Sequence, residues 1–392
     1  MKDQLIDLLN AVTENERLGA LRGLLRLYEN GTLAMPDTGI NVNNHIHTTF
    51  SFSPYSPAKA VYMAWESGLS TAGIMDHDSV GGAAEFIEAA KIIGFPVTVG
   101  FECRCSVIGT QFEGKRINNP DQKSVAYVAM HGIPHQMLGE AEEFLAPYRE
   151  KRNRRNRKMV ERLNRKISPY GLVLDFERDV LPLSQHALGG SVTERHLLYA
   201  LCAALTDREM SRHFLLGVFK SHLIGDIYVD ADDELPHLTE FIALAEKLGA
   251  VPAYAYLGDV GVSVTGDKKT QAFEDSYLDE LLVYLKDIGM RAVTYMPARN
   301  SPEQLSRVIE LCRKYGFFQI SGEDINSPLQ SFICGKIETP ECRHLIDSAW
   351  ALIGHEAACA EGGLSKGMFS VETAALLPDL GKRIEYFKDR GK

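Results

Sequence analysis

Apolar residues at helical spacing open the chain: Leu5, Leu8 and Leu9, then Leu18, Leu21, Leu24 and Leu25, predict one or two amphipathic helices over residues 3–29. After the turn-rich stretch GTLAMPDTG the pattern becomes short apolar runs alternating with helical ones. Ser56-Pro57 reads as a helix start, with serine as cap and proline at the first helical position. That helix stops at Gly68, and TAGIM follows as a buried strand. A second helix from about Gly82 to Ile93 is closed by Gly94 and followed by the strand PVTVGFE, with VAYVAMHG as a fourth strand. The rhythm returns late: strand AVPAYAY (250–256), helix FEDSYLDELLVYLKDIG, strand MRAVTYM, helix SPEQLSRVIELCRKYG and strand FFQIS. Such a βαβ succession predicts a parallel sheet or barrel.

Residues 133–235 carry little strand signal and are mostly helical and charged, which predicts a helical insertion into a split βα array. The expected layout is an N-terminal helical extension over 1–38, a barrel from 39–134 and 235–392, and an insertion over 135–234. The tail after about residue 340 reads as helical, with no chemistry of its own, and GDVGVSVTGDKK (258–269) reads as a surface connection.

Composition narrows the classes. With 392 residues, 45% hydrophobic and 24% charged, the chain is long enough for a substantial core. A net charge of −10 argues against general nucleic-acid binding, so no specific nucleic-acid partner is expected. The charge is uneven: residues 148–166 hold ten Lys/Arg against two Glu. Met159, Val160, Leu163 and Ile167 bury one face of this segment, and its arginines read as a solvated cationic face with one or two reaching the site. Seven scattered cysteines, without a paired CxxC, fit a reducing compartment, and Cys103 and Cys105 read as buried thiols. No stretch approaches the ~18 apolar residues of a membrane span, so the expected location is cytoplasmic with no membrane partner. The sequence has no GxGxxG or P-loop.

Chemistry gathers at the carboxyl ends of the predicted strands, where side chains of successive strands converge. His45 and His47 stand one residue apart, and a period of two puts both on one face of an extended segment. GIMDHDS then offers Asp76, His77 and Asp78, VTVGFE offers Glu102, VAYVAMHG offers His131, and FFQISGEDINSP offers Glu323, Asp324 and Asn326. Imidazoles and carboxylates without thiolates form a donor set for Zn, Mn or Fe.

The ordered set HIHTTFS, MDHDSVGG, GFE, AMHG and SGED resembles the PHP (polymerase and histidinol phosphatase) family of metal-dependent phosphoesterases, over about residues 41–330. The resemblance extends to the helical insertion of one bacterial subgroup, in REKRNRRNRKMVERLNRKISPYGLVLDFERDV and SVTERHLLYAL. It implies an α/β fold, a distorted seven-stranded βα barrel, with up to three metal ions at the strand ends. In it His45, His47, Glu102 and Asp324 hold the first ion, Glu102 and His131 the second, and His77 belongs to a third. Asp76 is a ligand or orients one, and the catalytic set is Asp76, Glu102 and His131.

The pattern also departs from the family. Phe52 stands where an acidic residue or histidine is usual, and Asn300 where relatives often carry histidine. Ala255-Tyr256-Leu257 replaces Ala-His-Pro, so Tyr256 becomes a replacement ligand or substrate contact. Asp324-Ile325-Asn326 replaces Asp-x-His, leaving Asn326 as a weak donor. The expectation is therefore one firmly bound divalent metal and a second with fewer ligands. Arg195 and His196 are the candidates for binding phosphate, with Thr193 capping their helix. The implied function is hydrolysis of a small phosphorylated substrate through a metal-activated hydroxide. The alternatives are a related amide or ester hydrolase, and a protein of this fold that binds metal or ligand without turnover.

Overall fold

Seven strands form one sheet whose spatial order follows the chain: β1 (Val42–Ile46), β2 (Thr71–His77), β3 (Val97–Ser106), β4 (Val125–His131), β5 (Val251–Tyr256), β6 (Ala292–Tyr295) and β7 (Phe318–Ser321). The computed structural model describes residues 1–260 and 271–392, so most of the 258–269 connection lies outside the described residues. All neighbouring strands are parallel except at β4, which runs antiparallel to both β3 and β5. A bridge between Ile46 and Ile325 brings the first strand against the last and nearly closes a barrel. Asparagine side chains tighten this seam: Asn44 Nδ2 donates to Ser321 O (2.9 Å) and Asn43 Nδ2 to Glu323 O (3.1 Å).

The helices are α1 (Lys2–Leu8), α2 (Glu14–Glu29), α3 (Pro57–Glu66), α4 (Ala83–Ile93), α5 (Leu138–Ile167), α6 (Glu194–Leu205), α7 (Glu209–Ile227), α8 (Leu238–Leu248), α9 (Leu278–Asp287), α10 (Pro302–Tyr315), α11 (His344–Gly362), α12 (Val371–Leu376) and α13 (Leu380–Gly391). The start signals act as the sequence predicts: Ser56 Oγ accepts from Lys59 N at the head of α3, and Gly94 closes α4 in the left-handed conformation. The helix α2 docks on α4 through a buried pair, Arg17 Nε to Glu85 Oε1 at 2.8 Å.

Strand alternation sorts the side chains into two layers. Met75, Ala129, Val251, Ala253, Ala292, Phe318 and Ile320 fill the barrel interior, whereas Phe101, Cys103, Tyr254 and Tyr256 pack with the surrounding helices. Tail helix α11 supplies Ala351 and Leu352 to the interior cluster. Its His355 Nε2 bonds Gly132 O (2.9 Å), and its Glu356 accepts from Val99 N (2.9 Å), near the start of β3. The tail thus stoppers the end of the barrel opposite the β3 carboxyl edge.

The helices α5, α6 and α7 share a separate small core that includes Met159, Leu163, Leu197, Leu201 and Leu216. Arg154, Arg162 and Arg165 of α5 form the solvated cationic face expected from the charge run, but three other arginines turn inward. Arg149, Arg152 and Arg155 are each 5% exposed. Arg155 Nε donates to Glu234 Oε2 and Arg152 Nη2 to Glu194 Oε2, both at 2.8 Å. Arg104 from β3 also pairs with Glu234, Arg155 with Glu194, and Arg152 with Asp78 at the end of β2. The physical reason is complementarity: two glutamates and Asp78 arrive from three other segments, and guanidinium forks satisfy them where lysines would not. This lattice fixes the insertion over the mouth of the barrel.

Breaking a buried pair costs about 3 kcal/mol or more, whereas an exposed pair is worth less than about 1. Glu234→Gln is therefore expected to lower the urea midpoint clearly. Arg154→Gln, which removes only the exposed Arg154–Asp233 pair, should leave it nearly unchanged. Equal midpoints for the two variants would contradict the clamp.

Candidate metal centre

The site is built on Glu102. Its carboxylate projects into the barrel from β3, where Glu102 is 7% exposed. Its Oε1 lies 2.9 Å from His77 Nδ1, 3.3 Å from His47 Nε2 and 3.5 Å from His45 Nε2. Asp324, in the loop after β7, closes the other side with Oδ1 at 3.1 Å from His47 Nε2. Two groups of donors each fit within the reach of one ion: His45, His47 and Asp324; and His47, His77 and Glu102.

Local backbone explains this convergence. Gly322 precedes the acidic pair, and a Cβ there would stand 2.5 Å from His45 Cβ, so only glycine lets β1 and the β7 loop approach. Hydrogen bonds His47 N to Ile325 O (2.9 Å) and Ile325 N to His45 O (3.1 Å) hold the two segments in register. Asp78 has φ +49°, and its N–H bonds Glu102 O (2.8 Å), turning the chain sharply after His77.

Asp76 stands behind the donors. Its carboxylate accepts from Thr48 N (2.7 Å), Thr48 Oγ1 (2.6 Å) and Ser51 Oγ (2.6 Å), and Ser51 Oγ lies 3.1 Å from His47 Nδ1. The chain Asp76–Ser51–His47 thus orients the imidazole so that Nε2 faces Glu102 and Asp324.

The electrostatics call for a cation. Burial would depress His47, but Asp324 and then Glu102 push its pKa up to about 10. Burial would raise Glu102, yet His77 and His45 hold it well below the usual carboxylate range. Desolvation is likewise overcome at Asp324, which His47, His45 and Arg195 hold far below its ordinary value. His47 Nε2 is buried without a well-aligned hydrogen-bond acceptor. A proton stands where the donor set suits a metal, and the residues fit the divalent ion expected of them.

The remaining candidates are placed differently. His131 enters from the opposite direction, because β4 runs antiparallel, and its buried Nε2 has no hydrogen-bond partner while His45 and Glu102 act on its charge. Glu102 pairs with Ala129 in the ladder, so His131 lies two residues deeper; burial and then His45 push its pKa down to about 3. Tyr256 lies in the outer packing layer with its hydroxyl donating to Asp275 Oδ1 (2.6 Å), on the opposite face of β5 from the interior residue Ala253. Asn326 Nδ2 donates to Asp324 Oδ1 and so braces that carboxylate. His196 is 2% exposed, and its Nδ1 accepts from Thr193 N (2.9 Å) inside the first turn of α6. Arg195, beside it, is half-buried and close enough for its charge to act on Asp324. Tyr127, not a strand-end residue, also reaches the site, with its ring centroid 6.3 Å from that of His77. Burial pushes the Tyr127 phenol above its usual value, although Arg104 opposes this. The available signal was alternation, since Tyr127, Ala129 and His131 share one face of β4.

No protein-family model matches the chain. It is 23% identical over 299 residues to the 5′-3′ exoribonuclease Rnm of Escherichia coli, covering 75% of this chain and 88% of that protein. It is 34% identical over 74 residues to a 5′-3′ exoribonuclease of Haemophilus influenzae, a match that spans 19% of this chain and a quarter (25%) of that protein. Among solved structures, an inferred metal-dependent phosphoesterase from Bifidobacterium adolescentis superposes with TM-score 0.57 at 20% identity, covering 79% of this chain and 96% of the other. An amidohydrolase from Chromobacterium violaceum, with bound sulfate and no metal, gives TM-score 0.58 at 18% identity and the same two coverages, 79% and 96%. The fold is the one these two solved structures share, a nearly closed seven-stranded α/β barrel ringed by helices.

Partners of a metal ligand's far nitrogen typically govern ten- to hundredfold in metal affinity. Ser51→Ala, which cuts the link from Asp76 to His47, is expected to weaken divalent-metal binding within that range while leaving the circular dichroism spectrum intact. Unchanged metal affinity in a competition titration would remove Ser51 from the centre.

Proposed function

We propose that this protein is a metal-dependent phosphoesterase whose reacting centre is the cluster around Glu102. His45, His47 and Asp324 would hold one ion, and Glu102 with His77 would hold a second. The observation that carries this reading is the convergence of three imidazole nitrogens within 3.5 Å of one buried carboxylate oxygen at the barrel mouth. A divalent ion held there supplies hydroxide at neutral pH and withdraws charge from phosphoryl oxygens.

The other residues position and neutralise. Asp76 and Ser51 fix the His47 ring, and Asn326 fixes the Asp324 carboxylate. Arg195 offers a guanidinium fork toward the Asp324 side, suited to the non-bridging oxygens of a phosphoryl group. His196, which fixes the first turn of α6, holds Arg195 in place rather than touching substrate. His131 underlies the centre as a neutral imidazole, and Tyr256 shapes the end of β5. A small phosphorylated molecule is the expected substrate, and the names of both curated relatives add the 5′ end of an RNA strand to the candidates.

The test is hydrolysis by the manganese- and zinc-loaded protein of p-nitrophenyl phosphate, bis(p-nitrophenyl) phosphate and a short 5′-phosphorylated RNA. Turnover of at least one is expected, abolished by a chelator and lowered at least about a hundredfold in Glu102→Gln. Turnover indifferent to both treatments would refute the reading. Cleavage of amides but of no phosphoester would favour the amidohydrolase alternative.

A further inference from the structure

Two side chains inside the barrel mouth take no part in the centre as described. Arg104 follows Glu102 by two residues on β3 and so faces the same interior, and Tyr127 is its direct partner across the antiparallel ladder. In β4 every other residue is buried, whereas Tyr127 is partly open. Its backbone is pinned independently of its ring: Tyr127 N donates to Asn118 Oδ1 (2.8 Å), and Asn118 Nδ2 donates to Tyr127 O (2.9 Å) and to Ala255 O (2.6 Å). The Tyr127 hydroxyl bonds none of the described residues and keeps contact with solvent, so it is free to meet a ligand. Its surroundings are charged, with Arg104, Glu194, Asp121 and Glu102 all acting on the phenol. Arg104 itself is 5% exposed, tied to Glu234 through one terminal nitrogen, with Nη1 only 3.6 Å from Glu194 Oε1 and a buried Nε that lacks an acceptor.

We propose that Tyr127 is a substrate-binding residue, its hydroxyl donating to an anionic oxygen of the phosphoryl group over Glu102, with Arg104 behind it supplying positive field. The proposal rests on the phosphoesterase reading above. A phenol is protonated at neutral pH and donates one hydrogen bond without adding charge. It therefore holds an oxygen in place while leaving the charge balance of the arginine–glutamate lattice untouched. On this account Tyr127 contributes to binding in ground and transition states alike.

The experiment compares wild type with Tyr127→Phe, both full-length and metal-loaded. Metal content is read by elemental analysis, inorganic phosphate affinity by calorimetry, and KM and kcat on whichever phosphoester the wild type cleaves. A hydrogen bond to a charged group is worth roughly tenfold or more in affinity. Tyr127→Phe is expected to bind phosphate about tenfold more weakly and to raise KM by a similar factor, with kcat and metal content little changed. Wild-type phosphate affinity in the variant would overturn the proposal while leaving the phosphoesterase reading standing. Loss of metal from the variant would also overturn it, by making Tyr127 a ligand. A wild-type protein that neither binds phosphate nor cleaves any phosphoester would overturn both.

Discussion

An ionised carboxylate taken out of water costs several kcal/mol unless opposite charge meets it. Glu102 is such a group, 7% exposed inside a barrel. Much of the surrounding architecture meets that demand. Three imidazoles from β1, its following loop and β2 are drawn to one oxygen, the seam between β1 and β7 is closed by asparagine side chains, and Gly322 permits the close approach that brings Asp324 in. Without a metal, the cluster satisfies itself by protonating a histidine. With one, the same geometry becomes a ligand set.

A second constraint acts one layer higher. The end of β2 and the outer part of β3 carry Asp78 and Arg104, and both are neutralised by the insertion and the segment after it, through Arg152 and Glu234. The insertion is therefore tied to the strands that bear the centre, and it carries Arg195 toward Asp324 on the same helix whose Glu194 holds the lattice together. The helix that carries Arg195 therefore cannot drift without unpairing buried ions.

Much of this was legible in the sequence. The βα rhythm, the caps at Ser56 and Gly94, the helical insertion and the pairing of His45 with His47 all follow from local rules: a period of two or 3.6, a proline at the first helical turn, a glycine at the last. What local rules lack is strand direction and long-range charge pairing. Nothing in VAYVAMHG states that β4 runs antiparallel and so brings His131 in from the opposite direction to the other strand-end residues. Tyr256 looked like a substitute ligand because its outward turn is settled by Asp275, itself held by Gln304, and not by the tripeptide. The burial of Arg152 and Arg155 could not be read because their partners, Asp78, Glu194 and Glu234, lie dozens of residues away.

The central claim is that the cluster around Glu102 holds metal. Anomalous X-ray diffraction from crystals soaked in manganese or zinc, collected on either side of the metal's absorption edge, tests it most directly. The account predicts an edge-dependent peak within coordination distance of His45, His47, Glu102 and Asp324, at ~2.0–2.3 Å. Peaks confined to surface carboxylates, with none at this cluster, would contradict it.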